Sequence, residues 1–404
     1  MRLQDLTVEV RNKAFQRVGA IRHEELNLEV TDDFNNVGAW KLRLAAEHPL
    51  ANELRQPGSG LIVTGPTDVI LSGPTITPEF AITPEDPGGS ISFTGVSDSV
   101  TLVDMLSFPD PTNPDPTTQE LAHDIRSGVA ETVMHAYVSA NIGPSAPAER
   151  RRAGLVMGED LGRGPIIKKS PRFPALGELL AEIAAVAGLG FRIVQRGSVP
   201  VFETYDITDR TATVRLDVRN NTLAGQRVAI SAPGVTRAIV AGQGDLTERQ
   251  FVAVSTPEAQ AAEAQWGRRI ERFIDQRNTN DWDELTQAGE EVMAEEGYTS
   301  ISVQAVPTED SLMRFGIDWG LGDKVSVVIE NQELSSTVTG VVLKADPDGL
   351  RVGTVIGQPT GLDLNAALSK RVTNTERRIS ALERNVLDGV IDPDAQVFSF
   401  MGVW

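Results

Sequence analysis

Cysteine is absent from all 404 residues, which excludes disulfides and thiolate metal sites and leaves the fold independent of redox compartment. Histidine is nearly absent: only His23, His48, His123 and His135 occur, and none falls in an HExxH spacing. No GxSxG nucleophile elbow and no GxxxxGK[ST] phosphate loop is present, so the common hydrolase and nucleotide-binding signatures are missing. Gly242-Gln243-Gly244 and Gly162-Arg163-Gly164 are lone GxG triplets and read as strand-end turns. No apolar run reaches the roughly 18 residues of a membrane helix. The first thirteen residues also lack the apolar core of a signal peptide, so a soluble protein made in the cytoplasm, with no stable membrane association, is expected. Basic residues are scarce: 37 Lys and Arg face 56 Asp and Glu, a net charge of -19 that disfavours tight, sequence-independent nucleic-acid binding. His123 and His135, with Asp124 and Glu131, fall on one predicted helix, where packing roles are expected. No catalytic, cofactor-binding or metal-binding residue is assigned, and no cofactor is expected.

What is present is mostly strand. Residues 324–329 form a β-branched run, 337–343 a second, and 350–356 a third after the turn Asp346-Pro347-Asp348-Gly349, which predicts a small antiparallel sheet or barrel. Such a module usually binds something structural. Residues 1–108 also read as all-β, with Leu6, Val8 and Val10, then Leu42 and Leu44, alternating with polar positions, and further strands at 61–64, 69–72 and 91–93. A proline-rich stretch at 108–116 predicts a stiff linker and a boundary.

The pattern then turns helical. Thr117 or Thr118 can cap a helix carrying Leu121, Ile125, Val129, Val133 and Tyr137, and a second helix presents Leu176, Leu179, Leu180, Ile183 and Val186 before Gly188. Strands follow at 191–195 and 200–205, and strand-like text resumes from 211 to 241. Ser255-Thr256-Pro257-Glu258 signals a helix whose apolar face is read as Trp266, Ile270 and Phe273 or Ile274, and another helix is expected at 283–296. The length suggests two to four domains of roughly 100–200 residues each. The expected divisions are 1–108, an α+β segment at 109–208, strands at 209–246, a helical or α+β segment at 247–305, the β module at 306–358, and 359–404.

That last segment repeats Leu368, Val372, Thr375, Ile379, Leu382 and Val386 at alternating gaps of four and three, the seam of a short coiled coil. Arg371 and Arg378 fall at g, Glu376 and Glu383 at e, in the offset of interchain salt bridges between parallel helices. The a and d choices alone suit a dimer as well as a trimer. The end, 397–404, is apolar, and Phe398, Phe400 and Trp404 are candidate docking residues. One charge anomaly stands out: residues 150–172 hold Arg150, Arg151, Arg152, Arg163, Lys168, Lys169 and Arg172 against Glu159 and Asp160, seven minus two, or +5. The stretch either is a solvated loop that answers acids elsewhere on the same chain or docks an acidic neighbour subunit through Arg150, Arg151 and Arg152, the neighbour's residues 281–296, with seven acids and no base, being the counterpart.

Several phrases in order resemble a known family. They are Leu6-Thr7-Val8-Glu9-Val10-Arg11, the strand around Trp40, the turn Gln56-Pro57-Gly58, Tyr137-Val138-Ser139-Ala140-Asn141, Ala232-Pro233-Gly234-Val235-Thr236, Trp266-Gly267 and Asp318-Trp319-Gly320-Leu321-Gly322-Asp323. Together they resemble the minor tail proteins of long-tailed actinobacteriophages, and the N-terminal region of tail-associated lysins, over about residues 3–358. The resemblance implies a trimeric tail-tip or baseplate hub, with two small antiparallel β-barrel domains per chain, at 1–108 and 306–358, joined in a ring that continues the tail tube. Residues 209–246 would complete a barrel and the α/β inserts would lie outside. It implies a virion protein that partners the distal tail, tape-measure and other tail-tip proteins, and DNA only in transit. Relatives often carry a wall-degrading enzyme after the hub, whereas 359–404 reads as coil, so a non-enzymatic role is expected. A receptor- or carbohydrate-binding module is the alternative, and a cell-wall hydrolase a weaker one.

Overall fold

The computed structural model describes residues 1–357 apart from 84–85, 245–247, 278, 309–310 and 330–331. The coil and tail at 359–404, with every interface residue proposed there, lie outside the described residues. The architecture is α+β and rich in sheet, with four helices longer than two turns: Ala130–Asn141, Leu176–Ala187, Pro257–Trp266 and Trp282–Glu296.

A 13-stranded sheet dominates. From one edge it runs Leu223–Ser231, Ser300–Pro307, Gly349–Gly357, Gln332–Asp346, Leu28–Asp33, Ala39–Ala45, Asp86–Val96, Val69–Thr83, Gly60–Thr64, Thr7–Arg11 and Arg17–Ile21; Lys324–Ile329 branches from Gln332–Asp346 and carries Arg215–Leu216. The three runs read at 324–356 are thus strands, but they do not stand alone. Gln332–Asp346 pairs antiparallel with Leu28–Asp33, from Gly340 opposite Asp33 to Ala345 opposite Leu28. Two separate small barrels were expected; instead, one ladder joins the terminal regions, and among the described residues its path closes no ring.

The physical reason is a shared core. Val30, Leu42 and Phe93 from the N-terminal strands pack in one apolar cluster with Val327, Val341, Leu343 and Trp319, so the strands at 324–357 have no apolar face left to close on themselves. Trp319 stands edge-on to Phe315 at 5.2 Å and donates its indole N–H to the Met313 carbonyl. Gly95 lets Trp40 lie flat on the sheet, since a Cβ there would meet the indole at 2.2 Å. Two long strands each serve two ladders. Val69–Thr83 pairs first with Gly60–Thr64 and then with Asp86–Val96, with a register shift between Thr75 and Thr77 where it passes from one to the other.

A second core binds Ala130–Asn141, Leu176–Ala187 and the hairpin Leu189–Arg196/Val199–Asp206 through Tyr137, Leu180, Ile183 and Phe202. The helix expected from Thr117 begins only at Ala130. Asp110, Asn113 and Asp115 turn their side chains onto nearby backbone N–H groups, which holds 110–117 in tight turns. Arg126–Val129 is instead a strand paired with Ile166–Lys169, leaving Leu121 and Ile125 exposed. Nor is the proline-rich stretch free: Phe108 is buried against Phe173, and its N–H donates to Asn141.

The third unit is a three-stranded sheet, Phe251–Val254, Arg237–Ala241 and Glu271–Asp275, with Pro257–Trp266 and Trp282–Glu296 packed on it. Thr256 caps the first helix by accepting from the Ala259 N–H, and Pro257 starts it. Gly267, at φ +63°, ends it, so Ile270 lies beyond it and Phe273 and Ile274 belong to a strand rather than to a helix face. Residues 209–246 divide between this unit and the large sheet, whose strand Ser300–Pro307 was not expected from the sequence.

Candidate assembly surfaces

The basic stretch finds its acidic counterpart within the chain. Ile166–Lys169 brings Lys168 and Lys169 against the helix Trp282–Glu296, where Lys168 Nζ lies 2.7 Å from Asp281 and Lys169 Nζ 2.5 Å from Glu291 and 2.8 Å from Glu182. Burial alone would lower the Lys169 ammonium, but the two carboxylates outweigh it and raise its pKa. Glu284, on the same helix, accepts from the Ser170 hydroxyl. The 281–296 segment, expected to meet the basic stretch from a neighbouring subunit, meets it inside one chain, as the same-chain alternative has it.

Arg163 sits at the turn between Gly162 and Gly164, both at positive φ. It grips Glu131, which is 0 % exposed, in two hydrogen bonds and adds Asp206 at 2.9 Å. Burial would raise Glu131, yet the bonds from Arg163 and Thr204 hold it down at about 2. Arg150 stacks on Phe108, 3.4 Å from the ring centroid, and donates to the Leu106 carbonyl, while Arg151 donates to the Ala146 carbonyl. Both guanidiniums thus serve local packing, and Arg152 is exposed.

His123 and His135 share no helix. His135 lies in Ala130–Asn141, edge-on to Phe202, and burial lowers its pKa; His123 lies in the preceding turn, its Nδ1 3.1 Å from the Ser170 carbonyl. Among the described residues no group of three His, Asp or Glu is placed to hold a metal. The Gly242-Gln243-Gly244 triplet follows Arg237–Ala241, and Arg249 donates to the Gly242 and Ala241 carbonyls there, which makes it a strand-end turn.

The junction between the large sheet and the α+β unit was invisible in the sequence. Arg11, 2 % exposed, forms a bidentate pair with Asp98 at 2.6 and 2.7 Å and donates to Gln195 at 2.9 Å, partners 87 and 184 positions away. The Ser72 hydroxyl donates to Asp98 and accepts from the Gln195 N–H, so one network ties four segments. Beside it, Arg192 and Arg196 clasp Asp68; burial would raise that carboxyl, but the two guanidiniums hold it at about 2. A cavity of about 530 Å³ opens here, lined by Asp32, Arg192, Tyr205, Phe315 and Asp323 among others. Burial, and then the Asp33 charge, push the Asp32 carboxyl up to about 8, and burial raises the Tyr205 phenol. Nothing in the sequence singles out Arg11, which continues the polar register of Thr7 and Glu9 along its strand.

This arrangement ties the layers of the fold together. A family model described as Siphovirus ReqiPepy6 Gp37-like protein matches residues 7–358. The chain belongs to that family. No curated protein matches the sequence. Among solved structures, the fold of this family member is similar to a 43 kDa tail protein of prophage MuSo2 from Shewanella oneidensis, with 12 % identity, 89 % of this chain and 99 % of that one covered, and a TM-score of 0.55. It is also similar to a tail protein from Neisseria meningitidis MC58, at 11 % identity, 87 % and 96 % coverage and a TM-score of 0.57. At such identity the likeness is one of fold.

Proposed function

We propose that this chain is a structural component of the virion tail tip: a homotrimeric hub that closes the tail tube, docks the tape-measure, distal tail and other tail-tip proteins, and opens for DNA. The observation that carries the reading is family membership across 7–358, in a chain whose large sheet ends, among the described residues, in two unlike, unpaired edges. A sheet with two different free edges is suited to head-to-tail contacts, which close into rings. On this reading the two ends of the sheet, 1–108 and 306–358 with the strand from 209–246, act as ring-forming barrels. The units at 109–208 and 247–305 hang outside, and 359–404 trimerises through its Leu368, Val372, Ile379, Leu382 and Val386 seam. Three copies would carry three times -19, or -57, a field through which DNA slides rather than sticks. Catalysis is not part of this role. Light scattering on the full chain tests it: the expected mass is three times that of one chain, and a monomer at micromolar concentration, unchanged by deleting residues 362–404, would overturn it.

A further inference from the structure

The outer half of Val69–Thr83, residues 75–83, pairs with Asp86–Val96 on one side, and among the described residues its other edge, from 76 to 82, makes no backbone hydrogen bond. Its side chains do not look like those of a solvated edge. Pro78 and Phe80 stand opposite Phe93 and Ile91, which are core residues at 0 and 1 % exposure, and cross-strand partners share a face. The buried face of the sheet therefore continues onto this strand at Pro78 and Phe80 and runs out uncovered, with Phe80 more than half exposed; Ile76 and Ile82, at the two register shifts of the strand, are more than half exposed as well. Natural edges are protected by short strands, charges or proline. Only Pro78 and Glu79 provide that here.

The far end of the same sheet has the matching defect. Leu223–Ser231 pairs on one side with Ser300–Pro307; Val228 lies opposite Val303 on the core face, and the same face carries Ile230, 58 % exposed, opposite Ile301. Arg227 points to the other face, exposed and without a carboxylate partner among the described residues.

We propose that residues 75–83 of one copy pair edge to edge with Leu223–Ser231 of a second copy of this chain, an inference that rests on the ring-forming reading above. Both stretches are nine residues long, with Glu79 at the centre of one and Arg227 at the centre of the other. In-register pairing therefore sets Glu79 opposite Arg227 on the outer face whichever way the strands run. On the core face, antiparallel pairing brings Pro78 to Val228 and sets Ile76 opposite Ile230; parallel pairing brings Phe80 to Val228 and sets Ile82 opposite Ile230. Either way Val228 meets an apolar partner, with Gln226 beside it opposite Phe80 or Pro78, and opposite charges meet at the back. Because the two edges differ, each copy offers one of each, and the contact repeats head to tail until it closes.

The absence of cysteine makes the test clean. Glu79→Cys and Arg227→Cys would be introduced singly and together into the full chain, oxidised, and run on a denaturing gel without reductant. Directly opposed strand residues lie about 4.5–5.5 Å apart at Cα, within disulfide range. The expected result is a ladder of covalent multimers from the double variant that ends at the ring number, and none from either single variant. Charge reversal at Glu79 alone should weaken association by roughly twofold to fivefold, and reversal of both positions together should restore it. A double variant that assembles in solution without cross-linking, or that links within one chain, overturns the strand pairing and leaves the ring reading standing. A monomer in solution overturns both.

Discussion

Where the large sheet encloses Trp40, Phe93 and Trp319, the three-stranded sheet at 237–275 has nothing larger inside than Leu285 and Met293, and it leaves Phe251 and Phe273 in water. The first is held by apolar area, joined across residues more than 300 positions apart by one ladder. The second has two small cores and meets the rest of the molecule through its acidic helix, which takes Lys168, Lys169 and Ser170 and packs against Leu176–Ala187. A unit attached in this way opens at lower cost than the one it is attached to.

The comparison breaks most visibly in the core. Phe93→Ala should cost about 3–5 kcal/mol and shift the whole urea transition, since the sheet unfolds as a unit. Leu285→Ala removes comparable apolar volume, about 2–5 kcal/mol, but its effect should stay local: hydrogen exchange should quicken across 237–296 while amides at 28–45 keep their protection. Equal loss of protection in both regions would show that the units fold as one.

The ion pairs differ in the same sense. Asp98→Ala strands the Arg11 guanidinium at 2 % exposure and should cost about 3–5 kcal/mol, read from the denaturation midpoint. Asp32 gives a pH signature at the same junction. Its folded pKa, about 8, lies above its ordinary 3.8, so between those values the folded state binds more protons than the unfolded one. Stability should therefore fall as pH rises from about 4 to 8, with a slope of up to about 1.4 kcal/mol per pH unit. Asp32→Asn should remove that slope, leaving stability near pH 4 unchanged and raising it near pH 8; an identical slope in the variant would refute the assignment.

These differences also explain what the sequence made legible. The runs at 324–356, the helix closed by Gly188 and the cap at Thr256 are written locally, in periods and turn residues, and all appear. The coupling of Gly340 to Asp33 is not written locally, because antiparallel pairing across 307 positions depends on which apolar faces must share a core. The four-residue spacing from Leu121 to Tyr137 misled for the opposite reason: Asp110, Asn113 and Asp115 offer the backbone a local alternative, and Arg126–Val129 is drawn into a strand. The charge pattern at 168–169 and 281–296 was readable as complementary, since like charges cluster in sequence, but charge alone does not say whether the two meet in one chain or two.

The smallest expected effect separates the two lysines of that contact. Lys168 is 38 % exposed at its side chain and Lys169 12 %, though each faces carboxylates within 3 Å. Water screens the first pair, so Lys168→Ala should cost only about 0.2–1 kcal/mol and become neutral in high salt. Lys169→Ala leaves Glu291 and Glu182 facing each other with no cation between them, and its cost should exceed that of the first variant and persist in salt. If the two variants prove equal at low and high salt, burial is not what distinguishes them, and the peripheral unit is held to the α+β unit by something other than this pair of lysines.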